Sequence, residues 1–142
     1  MTPNFTLTEL TKSSTAERLS INNTPSDVIL INLQTLAEGL EEVRKILNNP
    51  MSIDSGFRCI ALNKAVGGAS NSAHTLGFAA DFTCPAFGKP LAIVNKIVDS
   101  GLKFDQIIQE GTWVHISFAP AMRRNILTAI FSNGHITYKV GL

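Results

Sequence analysis

Residues 55–82 read SGFRCIALNKAVGGASNSAHTLGFAADF, and this stretch decides how the rest of the chain is interpreted. It carries His74 and, seven positions on, Asp81, with Gly77 and the small or apolar Phe78, Ala79 and Ala80 between them. Ahead of His74 lies Gly67-Gly68-Ala69-Ser70-Asn71-Ser72, a flexible loop that can bring backbone close to a site. Residues 78–83 have the composition of a strand. Asp81 therefore rides an apolar strand, where a carboxylate needs a partner, either a metal ion or a base such as Arg58. The next good ligand is His115, in the run Trp113-Val114-His115-Ile116-Ser117-Phe118. Two neutral imidazoles and one carboxylate suit a catalytic zinc ion, which takes three protein ligands and leaves a fourth position open. A structural zinc site would want four ligands, usually with cysteine.

The same residues carry a family pattern. Ser55-Gly56-Phe57-Arg58, Leu62-Asn63, Ser72-x-His74-x-x-Gly77-x-Ala79-x-Asp81 and Trp113-x-His115 resemble the M15 family of zinc peptidases. These are D-Ala-D-Ala carboxypeptidases, dipeptidases and phage L-alanyl-D-glutamate endopeptidases. Phe5 to Leu10 and Asn63 to Gly68 look like the short single-domain branch, so the likeness spans nearly the whole chain. It implies an α+β fold of the hedgehog and DD-peptidase type, an antiparallel sheet with helices packed on it, forming one domain over residues 1–142. It also implies Zn²⁺ on His74, Asp81 and His115. Arg58 would meet the substrate and developing negative charge, with Ser72 and Trp113 beside the substrate. Members of this family commonly place a catalytic glutamate three residues before the last histidine. Here that position is Thr112, which is no base. Glu110 is the nearest carboxylate and the candidate general base, with Asp105 as the fallback.

Working outward, composition narrows the class. A chain of 142 residues with 44% hydrophobic and 16% charged residues can bury its own core and is not disordered. A net charge of +1 is no footprint for nucleic acid. No apolar run approaches the length of a membrane span. Met1-Thr2-Pro3-Asn4 lacks the pattern of a signal peptide, so the expectation is synthesis in a cytoplasm, with access to cell wall after phage-type release. A monomer acting on peptidoglycan peptides is expected. Cys59 and Cys84 are too few and too far apart for a zinc knuckle, and strand alternation turns Cys84 away from Asp81.

Thr6-x-x-Glu9 matches a capping box and predicts a helix over residues 7–12, with Phe5, Leu7 and Leu10 inward. Residues 13–23 read as a loop pinned by Leu19 and Ile21. Thr24-Pro25-x-Asp27 signals a helix to about Leu47, capped by Thr24. Its apolar face is Leu33, Leu36, Ala37, Leu40, Val43 and Leu47. A strand over 51–55, a helical turn over 61–66 and a helix over 90–100 follow, the last with Leu91, Val94, Ile97 and Val98 inward. Strands are expected at 104–109, 113–118, 126–131 and 135–140, the last two joined at Asn133-Gly134.

Two rivals stand beside a zinc peptidase of the cell wall. One is a catalytically silent zinc module, structural or virion-associated, of the same fold. The other is a non-haem iron oxygenase, which also uses two histidines and a carboxylate. Its ligands usually read His-x-Asp, and the spacing here does not.

Overall fold

Side-chain caps set the helix starts. In the computed structural model, which describes residues 1–142, Thr6 Oγ1 accepts from the Glu9 amide at 3.1 Å and opens α1 (Leu7–Thr11). Phe5 and Leu10 are buried, but Leu7 is exposed, so the inward set is smaller than the sequence suggests. Residues 13–23 are not all loop. Ser13 Oγ accepts from the Ala16 amide and caps a second one-turn helix, α2 (Ser14–Arg18). Only Ala16 of that turn is buried, too little for periodicity to reveal it. Leu19 is exposed and does not pin the segment. Asn23 does: its amide donates to Thr11 O at 2.9 Å and Phe57 O at 3.0 Å, and its Oδ1 accepts from Cys59 N at 2.8 Å.

The long helix α3 (Asp27–Leu47) starts from Ser26, whose Oγ accepts from the Ile29 amide. Thr24 is not the cap, because its hydroxyl donates instead to Asn22 Oδ1 at 2.6 Å. All six residues of the expected apolar face are buried. Asn48, at φ +50°, closes the helix in the left-handed conformation.

The remaining elements are β1 (Ser52–Ser55), α4 (Ile60–Ala65), β2 (Ala79–Thr83), α5 (Pro90–Asp99), β3 (Gln106–Gln109), β4 (Val114–Ser117), β5 (Asn125–Ser132) and β6 (His135–Val140). In α5 the core stripe centres on Ile93, Val94 and Ile97, while Leu91 in the first turn lies off the stripe and is exposed. No helix is long and apolar enough to cross a membrane.

The six strands form one sheet in the order β1-β2-β4-β3-β5-β6. The class is α+β, but the sheet is not wholly antiparallel: β3 and β5 run parallel. The reason is geometric. The β3–β4 hairpin returns the chain to the end where β3 began, so the short connection 118–124 passes that end and lays β5 along the free edge of β3. Backbone bonds from Arg124 N to Phe104 O (3.0 Å) and Asn125 N to Asp105 O (2.9 Å) hold this corner.

Directly opposed residues share a face of a sheet. Phe82 faces Val114, and Ala80 and Ile107 both face Ile116; all are fully buried with residues of α3 and α5. The alternate residues point the other way. Asp81 opposes His115, His115 opposes Ile108, and Ile108 opposes Leu127. One face of the sheet thus carries the core, and the other carries the site.

Candidate metal centre

His74 sits in a 3-10 turn, Ala73–Leu76, whose start is capped by Ser72 Oγ accepting from the His74 amide at 3.2 Å. Gly77 ends the turn at φ +79°, and a Cβ there would lie 3.0 Å from Ile29 on α3, so the position calls for glycine twice over. The imidazole is 2% exposed. Its Nδ1–H donates to the Gly56 carbonyl at 2.7 Å, which fixes the tautomer and leaves Nε2 as the free lone pair. That Nε2 lies 3.3 Å from Asp81 Oδ1. Across the β2–β4 ladder, His115 Nδ1 lies 2.9 Å from the same oxygen. Residues far apart in sequence are thus joined by one strand register and one capped turn.

His74, Asp81 and His115 could hold a metal ion: one ligand atom from each lies within 4.8 Å of the others. Bonds of about 2.0–2.1 Å in a tetrahedral arrangement separate neighbouring ligand atoms by about 3.3 Å. The His74–Asp81 separation matches that edge, and the His115–Asp81 separation is a few tenths shorter, as a hydrogen bond would make it. Burial lowers the pKa of His74, although Asp81 opposes this, so the imidazole is neutral and able to ligate. Burial alone would raise the Asp81 carboxyl, but the hydrogen bond with His115 and the adjoining His74 imidazole outweigh it and hold the group well below the usual carboxylate range. The donor set is therefore two imidazole nitrogens and one ionised oxygen, which fits a borderline divalent ion.

The triad opens onto a cleft of about 570 Å³. Arg58 lines one side. It forms no ion pair with Asp81, whose partners are the two histidines. Instead its Nε is buried without a hydrogen-bond partner, while its backbone amide donates to His74 O at 3.1 Å. Burial lowers the Arg58 pKa against the opposing pull of Asp81, so the guanidinium is a desolvated cation facing the cleft. Ser72 and Trp113 line the cleft too.

Glu110 reaches the cleft from the β3–β4 turn. Its amide donates to Trp113 O at 3.0 Å, and Gly111 takes φ +88°. Glu110 continues the Ile108 parity, on the His115 face. Burial raises its pKa, His115 lowers it, and Asp81 raises it, with a net rise. Thr112 is exposed and does not line the cleft. Asp105 also borders the cleft, but Arg123 grips it with Nε and Nη2 at 2.9 Å each, and that fork depresses its pKa. A carboxylate so engaged is a structural anchor for the 118–124 corner, not a free base.

Sequence reasoning missed the Gly56 carbonyl, because a backbone acceptor has no letter of its own. It also missed Leu127, Ile136 and Tyr138, which line the cleft from the β5–β6 hairpin. Only the strand order brings them there. Cys59 and Cys84 are both free; Cys59 Sγ caps α4 by accepting from Leu62 N, and Cys84 is buried against the Pro50 carbonyl.

A family model described as Peptidase M15 matches residues 3–117. The match takes in the triad, Arg58, Glu110 and Trp113, and it stops before β5. Comparison with curated proteins finds no match. The match covers most of the chain and includes all three residues of the triad, and the chain therefore belongs to the peptidase M15 family.

Proposed function

We propose that the protein is a zinc-dependent peptidase that hydrolyses peptide bonds in the stem peptides or cross-links of bacterial peptidoglycan, as an endolysin-type enzyme does. The observation that carries this reading is the His74–Asp81–His115 group, which has three ligands and no fourth and opens on a cleft beside a partly buried guanidinium whose Nε has no partner. Three ligands with a free position are the pattern of a catalytic zinc site. When bound, zinc supplies Lewis acidity toward a carbonyl and acidifies a water to a pKa of about 7.

The chain's own residues do the rest. His74, fixed by Gly56, and His115, fixed by its strand register, hold the ligand geometry. Glu110, with its raised pKa, accepts the water's proton and passes it to the leaving amine. Arg58 faces a substrate carboxylate or the developing oxyanion with a planar fork of donors, and its desolvation strengthens that attraction. Trp113 and Ser72 line the space around the peptide.

The test is mass spectrometry of fragments released from purified peptidoglycan, with and without a chelator. Release of peptides with new termini, lost on chelation and restored by zinc, is the expected result, and the fragment masses identify the bond cut. Zinc-loaded protein that releases nothing would instead be a structural zinc module of this fold.

A further inference from the structure

The β5–β6 hairpin lies outside the matched segment 3–117, yet it closes one side of the cleft. Its register explains how. Leu127 pairs with Ile108 on the site face of the sheet, and residues two apart along β5 keep that face. Leu127, Ala129 and Phe131 therefore share it with their cross-strand partners Val140, Tyr138 and Ile136. Four of these are left exposed: Phe131 by 54%, Ile136 by 53%, Tyr138 by 51% and Val140 by 86%. A run of apolar residues half open to water is costly unless something covers it. This run is continuous with the triad's cleft, which Leu127, Ile136 and Tyr138 line directly. Phe131 also reaches the turn that carries Glu110, since a Cβ on Gly111 would lie 3.1 Å from its ring.

The two sides of the cleft differ in chemistry. Arg58 presents a partly buried cation with a buried, unpartnered Nε on one side. The hairpin presents aliphatic carbon and one phenol on the other. We propose that the β5–β6 hairpin is a specificity wall: Leu127, Ile136 and Tyr138 receive an apolar residue of the substrate peptide while its carboxylate is held at Arg58, and the Tyr138 hydroxyl donates a hydrogen bond to the peptide backbone. This rests on the peptidase reading above and adds the residues that select the substrate's apolar side chain. The phenol is suited to donate, since burial and the charges of Glu110 and Asp81 raise its pKa and keep it protonated.

Trp113 is the single tryptophan and lines the cleft, so its fluorescence reports occupancy without any turnover. The probe is the stem pentapeptide L-alanyl-γ-D-glutamyl-L-lysyl-D-alanyl-D-alanine. It is titrated into the chelator-stripped 142-residue protein, and KM and kcat are measured on the zinc-loaded protein. Tyr138→Phe should weaken binding and raise KM about 2- to 10-fold, the value of one net hydrogen bond, with kcat nearly unchanged. Ile136→Asp should weaken both by roughly tenfold or more, because a desolvated carboxylate would meet an apolar group. Both side chains are half exposed on a hairpin, so circular dichroism and zinc content should match the wild type. Thr137→Asp, on the opposite face of the same strand, should change neither constant. If Tyr138→Phe and Ile136→Asp keep wild-type constants, or if Thr137→Asp weakens binding as much, the hairpin reading falls alone. If the wild-type protein neither binds nor cleaves the peptide, the peptidase reading falls with it.

Discussion

Gly56→Ala should damage the metal centre from outside it. Gly56 lies just after β1, where its backbone passes against the Leu10 carbonyl of α1, and the next amide, Phe57 N, donates to that carbonyl at 2.7 Å. A Cβ at Gly56 would collide with the Leu10 carbonyl oxygen and lie 2.9 Å from Leu10 C, so the backbone itself must move. Such overpacking typically costs about 1–3 kcal/mol. The displaced Gly56 carbonyl is also the acceptor that orients His74 through a 2.7 Å bond. Loss of a partner of this kind usually weakens metal binding by about 10- to 100-fold. The comparison variant is Gly39→Ala. Its Cβ would meet the buried Phe118 ring at 2.6 Å, a similar collision in the core away from His74. In that variant the alanine returns up to about 1 kcal/mol of helix propensity. Urea unfolding of the stripped proteins measures the first effect, and zinc competition against a chromophoric chelator measures the second. Both variants should lose stability, and only Gly56→Ala should lose zinc affinity. Wild-type zinc affinity in Gly56→Ala, or an equal loss in Gly39→Ala, would refute the claim that Gly56 orients the ligand.

Three further outcomes are expected. His74→Ala and His115→Ala should each lose the one zinc ion per chain by elemental analysis; full occupancy in both would remove the site. Arg58→Lys should behave much like Arg58→Ala, with zinc retained, because a point charge does not replace a bidentate fork; recovery of most of kcat/KM by lysine would contradict that role. Glu110→Gln should cut kcat by about 10²–10⁴-fold with zinc still bound. The base works deprotonated and burial raises its pKa above the ordinary 4.5, so wild-type activity should climb with pH through a value above 4.5, and the glutamine variant should lack that limb.

The residue pattern by itself singled out the candidate ligand set, because His74, Asp81 and His115 are chemically distinctive and their order resembles a family pattern, and the fold brings the three together. It also determined the buried face of α3, since a stripe recurring at helical spacing over 21 residues has one way to be covered. Glu110 was legible only as a candidate in the turn, and the fold is what sets it on the same cleft as the triad while leaving Thr112 outside. The one-turn helix α2 and the cap at Ser26 escaped because a single hydroxyl decides each, and neighbouring hydroxyls compete on nearly equal terms. The parallel pairing of β5 was not legible at all. Alternation along a strand tells which residues share a face but not which strand lies beside it. That choice is made by the 118–124 corner, where Asp105 binds Arg123 and the Asp105 carbonyl takes the Asn125 amide. Tertiary structure alone therefore turned Tyr138 and Ile136 from residues of an exposed hairpin into lining of the cleft onto which the triad opens, because strand order is set by long-range closure rather than by local sequence.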